Sequence, residues 1–218
     1  MIHHIFKSRQ AIWLLTPLLG TLIYLVLYIA ATFYYPGGSQ VDKNSIGFSW
    51  TQNYWCNLLN ENAVNGQHNL ARPIALAATF FLCVTLMIFW YIFPKQTAFR
   101  KSRRRIVQIS GFASMISIMF IWTNLHDIVI NIATLFGLIA VVGTFIGLIE
   151  LKWSKLFWTG IFILPLVGLN NFLYYKNGLL IYLPVVQKIT FLYFLFWICL
   201  IDVGIYRLSF KAKASTDD

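Results

Sequence analysis

Six runs of apolar residues, each close to twenty long, divide this chain, and no other feature limits its fold so severely. About 20 consecutive apolar residues carry an α-helix across roughly 30 Å of hydrocarbon, and a bilayer permits only helices and closed barrels because every backbone polar group must find a partner inside the protein. The runs are read at Ala11–Tyr35, Pro73–Phe93, Ile106–Trp122, Ile128–Ile149, Leu156–Tyr174 and Leu180–Tyr206. Pro36-Gly37-Gly38 ends the first and Pro94 the second. Pro165, Gly168, Asn170 and Asn171 interrupt the fifth, where the missing amide of Pro165 predicts a kink. Composition agrees: the chain is 59% hydrophobic and 11% charged with a mean hydropathy of +0.69. Soluble domains carry about 25% charged residues, so a water-soluble globule is excluded. The predicted fold class is all-α, a single domain over residues 1–218 with six transmembrane helices and one structured outer loop.

The net charge of +10 flanks the apolar runs and therefore bears on orientation, not on nucleic acid, for which the sequence shows no sign. With the N-terminus inside, the inner segments hold Lys7, Arg9, Lys95, Arg100, Lys101, Arg103, Arg104, Arg105, Lys152, Lys155, Arg207, Lys211 and Lys213. The outer side keeps Lys43, Arg72, Lys176 and Lys188. That asymmetry predicts an N-in/C-in topology, and a bacterial cytoplasmic (inner) membrane is the expected location. Arg100-Lys101-Ser102-Arg103-Arg104-Arg105 reads as a topological anchor compatible with anionic lipid head groups. Tyr34, Tyr35, Trp90, Tyr91, Trp122, Trp153, Tyr174 and Tyr175 fall at span ends, the place of an interfacial aromatic belt. The first run is too long for a cleaved signal core of roughly 7–15 residues and is read as a retained span. Near the inner ends, Glu150 and Asp202 stand close in sequence to Lys152 and Arg207 and read as neighbours of the lipid phosphate layer.

Polar groups within a bilayer are costly, so their distribution carries the functional information. Here they favour the outer half. The turn Thr123-Asn124-Leu125-His126-Asp127 joins the third and fourth spans, and Asn131 shares a helical face with Asp127. Asn170 and Asn171 lie below the outer end of the fifth span, and Gln187 and Lys188 lie inside the sixth. Lys188 sits about 10 Å below the outer boundary at 1.5 Å of rise per residue, where it either snorkels upward, pairs with Asp127, or meets a ligand. The outer loop 36–72 is long and rich in Phe48, Trp50, Tyr54, Trp55, Leu58 and Leu59, so it is expected to pack and not to be disordered. A helix over Ser49–Glu61 would put Asn53, Cys56, Asn57 and Asn60 along one side and Trp50, Tyr54 and Leu58 along another. Such a loop is either a lid with an amide-rich face or a plug over helix ends. Of three cysteines only Cys56 is in an outer loop, so no disulfide framework is expected.

Catalytic motifs are sparse. A zinc site needs about three His or carboxylate ligands with an open position, and His68, His126 and Asp127 form the one candidate set, without ligand spacing. A Cys56–His68 nucleophile pair is the other candidate, against which a buried structural thiol is the plainer reading. Gly-rich phosphate loops, Gly-x-Ser-x-Gly elbows and His-Glu-x-x-His are missing from the sequence.

Asn53-Tyr54-Trp55-Cys56-Asn57-Leu58-Leu59-Asn60 after the first span, Ala71-Arg72-Pro73 opening the second, and Leu125-His126-Asp127 before the fourth resemble the bacterial family called domain of unknown function 998. The six-span plan is similar to the related DRAM/FRAG/Sfk-type membrane proteins. A more distant likeness is to the CREST group, which includes alkaline ceramidases built around a zinc ion held by three histidines. Asn57/Asn60 and His126 resemble its first two motifs, but the paired histidines of its last spans do not occur here. These resemblances imply the six-helix scaffold and leave the activity open.

The leading expectation is an integral membrane protein with an outward-facing polar pocket for a lipid head group or small ligand, walled by Asn57, Asn60, His68, His126, Asp127, Asn131, Asn171, Gln187 and Lys188. No cofactor is expected in that case. The alternatives are a metal-dependent lipid-modifying hydrolase using His68, His126 and Asp127 around zinc, and an assembly protein whose Trp50 and Trp55 dock another membrane protein. Membrane lipids are the expected partners throughout.

Overall fold

The computed structural model describes residues 13–123, 125–176 and 178–214, without the side chains of His126, Asp127 and 210–214. The chain is all-helical, and among the described residues the extended pairing is confined to the isolated bridges Gly37–Ile46 and Asn62–His68. Among the described residues seven α-helices follow in order: α1 Thr16–Thr32, α2 Arg72–Ile92, α3 Lys101–Ile118, α4 His126–Glu150, α5 Ser154–Ile161, α6 Ile163–Tyr175 and α7 Leu183–Ala214. Among the described residues four stretches are long and apolar enough to cross a membrane: Arg72–Lys95, Ile128–Glu150, Ser154–Tyr175 and Leu180–Ser209. α1 is apolar but shorter, and α3 begins with Lys101, Arg103, Arg104 and Arg105, which lowers its hydropathy. The break between α5 and α6 falls at Phe162, one turn before Pro165, whose absent amide cannot continue the helical ladder.

The contacts divide the chain into two compact units, each built from segments distant in sequence. One comprises residues 1–22, 82–158 and 197–218 and contains the Arg100–Arg105 run; it is called the basic unit below. The other comprises 23–81 and 159–196 and contains the long loop after α1; it is called the loop unit.

In the basic unit, α3 and α4 pack along their lengths. Small residues let α3 and α4 approach each other and the end of α2. A Cβ on Gly111 would lie 2.6 Å from the Trp90 ring, one on Gly147 2.8 Å from Phe93, and one on Gly143 would collide with Val107. Membrane helices gain little from apolar burial against equally apolar lipid, so close backbone approach and interhelical hydrogen bonds must hold them together. Both are present: Ser114 Oγ donates to Ala133 O at 2.8 Å, and Trp90 Nε1 donates to Thr144 Oγ1 at 3.3 Å. Gly143→Val is therefore expected to cost about 1–3 kcal/mol by overpacking. Gly168→Ala, with no atom within 4 Å of the new Cβ, should leave the thermal midpoint in detergent unchanged or slightly higher. Equal midpoints for the two variants would contradict this packing.

The basic unit also corrects the reading of its acids. Glu150, read as a neighbour of the phosphate layer, pairs with Arg103 at 2.8 Å. Asp202 is fully buried, not interfacial, and accepts the amide of Leu18 at 3.2 Å. The aromatic belt is likewise thinner than expected. Tyr34, Tyr91, Trp122, Tyr174 and Tyr175 are exposed, but Tyr35 and Trp90 turn inward because each has an internal hydrogen-bond partner.

Candidate functional site

The loop after α1 is tied into the loop unit by polar side chains turned inward. Its only helix is the short 3-10 segment Trp55–Leu59, so the expected helix over Ser49–Glu61 does not form. Asn53 ties the segment inward instead: its backbone amide makes one helix-type bond to Ser49 O at 2.9 Å, while its fully buried side chain accepts the amide of Ser49 at 2.8 Å and donates to Gly38 O at 2.8 Å. Asn69, also fully buried, donates towards Asn57 O, Leu58 O and Asn60 O at 3.1, 3.2 and 2.9 Å. Its Oδ1 accepts the amide of Ala71 at 3.1 Å, just before α2 begins. The loop buries Trp55 and Leu58, and Tyr28 Oη donates to Trp55 O at 3.0 Å. Edge-to-face contacts of Trp55 with Tyr28, Tyr24 and Phe191 complete an aromatic core. Val64 donates its amide to Tyr35 Oη at 3.0 Å.

Lys188 is the charged centre of this unit. Only 6% exposed, its ammonium donates to Asn53 O and, at 2.9 Å, to Pro184 O. The Phe48 ring centroid lies 5.7 Å from Nζ, within cation–π reach. Lys188 thus does not snorkel; its stem turns inward and its charge is met by two neutral oxygens and a ring. A buried ammonium is costly without a counter-charge, and three donors are available to it. Other polar atoms of the same unit are buried without a hydrogen-bond partner among the described residues: Trp55 Nε1, Asn57 Oδ1 and Gln187 Oε1.

The nine expected pocket residues are distributed as follows. Asn57, Gln187 and Lys188 are wholly or partly buried in the loop unit. Asn60, His68 and Asn171 belong to the same unit but are exposed, and Asn171 Nδ2 donates to Val167 O of its own helix at 2.9 Å. Asn131 is exposed on the basic unit. His126 and Asp127 open α4 in the basic unit, with side chains outside the described residues, and the pairing of Asp127 with Lys188 falls there too. Two of the three ligands envisaged for zinc are the same residues; among the described residues no three His, Cys, Asp or Glu side chains cluster. Cys56 is half-buried, and burial pushes its thiol up from the usual range, which favours a protonated structural thiol over a nucleophile. Trp55 is buried, so of the two tryptophans expected to dock a partner only Trp50 is exposed.

Sequence reasoning missed Asn69 and the role of Asn53. Asn69 stands three residues before α2, the position where an asparagine side chain commonly bonds to backbone, and that signal was legible. Asn170 was noted only for its depth; its Nδ2 in fact donates to Leu166 O at 2.8 Å and to Thr190 Oγ1 at 2.6 Å, joining α6 to α7 within the loop unit.

Comparison of the chain with protein-family models, curated proteins and solved structures finds no match.

Proposed function

We propose that this chain is a six-span integral membrane protein, with both termini cytoplasmic, that binds a lipid head group or small anionic ligand through its loop unit. The observation that carries the reading is Lys188: a buried ammonium bonded only to carbonyl oxygens among the described residues. An anion at its third donor would offset the cost of burying the charge. Asn57 Oδ1 and Gln187 Oε1 add acceptors without partners, and Trp55 Nε1 adds a donor. A phosphate linked to a donor-bearing group, such as the amine of ethanolamine or the hydroxyls of glycerol, matches that combination of positive charge and bare oxygens. The six-span plan and its orientation rest on the apolar runs and the Lys and Arg asymmetry.

Native mass spectrometry of the detergent-purified chain tests the reading. A retained phospholipid or small anion is expected, weakened several-fold in Gln187→Ala, which removes an acceptor oxygen without a partner among the described residues, and lost in Lys188→Met. Retention that is the same in all three chains would exclude it.

A further inference from the structure

A second site is built at the turn between α4 and α5, in the basic unit. α4 ends in a tight cap: Lys152 donates its amide to Ile149 O at 3.0 Å and Trp153 to Leu148 O at 2.9 Å, the paired bonds that close a helix through one residue in the left-handed conformation. That residue is normally glycine, because a Cβ there crowds the following carbonyl. Here it is Lys152, with φ +57°, the only non-glycine residue at positive φ among those described. A strained backbone retained at one position points from the outlier to a role for its side chain.

Next in the chain, the Trp153 indole lies against Gly204 of α7; a Cβ on that glycine would sit 2.9 Å from the ring. The indole forms one wall of an open cavity of about 580 Å³ whose lining includes Lys152, Lys155, Leu156, Arg207 and Leu208. The cations are exposed, while Trp153, Leu156 and Leu208 are partly buried. Among the described residues no acidic side chain lines the cavity. The nearest acids in sequence point elsewhere, Glu150 to Arg103 and Asp202 to the Leu18 amide. Cationic heads above apolar walls, between the ends of two apolar stretches, are the complement of an amphiphilic anion.

We propose that this cavity holds the phosphate of an anionic lipid at the end that the Lys and Arg asymmetry predicts to face the cytoplasm, with Lys152 and Arg207 on the phosphate and Trp153, Leu156 and Leu208 against the start of the acyl chains. The site shares no residue with Lys188 and does not depend on the reading given for it. It differs from a diffuse basic surface in having a fixed turn, a fitted indole and a volume that admits a head group.

The test compares the full chain with Lys152→Gly/Arg207→Gln by native mass spectrometry after addition of phosphatidylglycerol, phosphatidylcholine or inorganic phosphate. Glycine keeps the left-handed turn, so the variant should melt no lower than the parent. The parent is expected to retain phosphatidylglycerol over phosphatidylcholine, and the variant to retain about tenfold less of it. Displacement of the lipid by millimolar inorganic phosphate, with the same sensitivity to the variant, would assign free phosphate as the occupant of the same site. Equal retention by parent and variant overturns the proposal. So does an equal loss in Lys101→Gln/Arg105→Gln, since binding would then follow net charge alone.

Discussion

Asn69→Ala is expected to release the loop between α1 and α2 while leaving the helices of the basic unit folded. One buried amide shares its two hydrogens among Asn57 O, Leu58 O and Asn60 O and accepts from Ala71, so its removal strands backbone groups of the loop and of the start of α2. Losing hydrogen bonds worth about 1 kcal/mol each, and leaving buried partners bare, should cost at least about 3 kcal/mol. The loss should appear locally, as new protease cleavage and faster amide exchange between residues 36 and 71, before the global midpoint collapses. Asn69→Asp keeps the acceptor for Ala71 but places a carboxylate against three carbonyl oxygens, and is expected to be at least as damaging. Parental exchange protection in Asn69→Asp would show that donation from this side chain is not what holds the loop.

Asp202→Ala should act on the basic unit and not on the loop. α1 starts at Thr16 with Pro17 in its first turn, and the amide of Leu18 is one of the donors a helix start leaves without a helical acceptor. Asp202 Oδ2 takes that amide from α7 at 3.2 Å, so a buried carboxylate joins two helices through a backbone group. Alanine would leave the amide unpaired and open a small void, at a cost of about 2–3 kcal/mol. Asp202→Asn can still accept from Leu18 and should lose less than half as much. Its detergent midpoint should fall between those of the parent and of the alanine variant. Should asparagine prove as harmful as alanine, the charge rather than the acceptor is what matters, and Asp202 would then belong among functional intramembrane acids.

The two residues differ in how far the sequence reveals them. Asp202 was visible as an acid within the last apolar run, but its burial was not, because Arg207 stands five positions on and the sequence alone does not say which of the two faces the protein interior. Asn69 is marked in the sequence as a backbone-bonding asparagine by its place just before the second apolar run, but nothing local shows that its partners are three carbonyls of the preceding loop. Lys188 was the sharpest polar signal, and its depth was legible from the apolar residues on both sides. Its partners were not: Asn53 O lies 135 residues away, and a carbonyl leaves no mark in the sequence. The expected loop helix failed for a related reason. Local periodicity cannot anticipate that the Asn53 side chain turns inward onto the carbonyl of Gly38, 15 residues away.

The sequence by itself determined that this chain is helical, where its long apolar stretches begin and end, and that the fifth breaks beside Pro165. Those properties follow from hydrophobicity and proline chemistry, which act within one segment and need no knowledge of neighbours. Only the tertiary structure decided that the loop asparagines turn inward, that Lys188 is clasped by carbonyls, that Asp202 closes on Leu18, and that Lys152 and Arg207 line one cavity. Each of these depends on which distant backbone groups lack partners, and that is settled only when the segments pack.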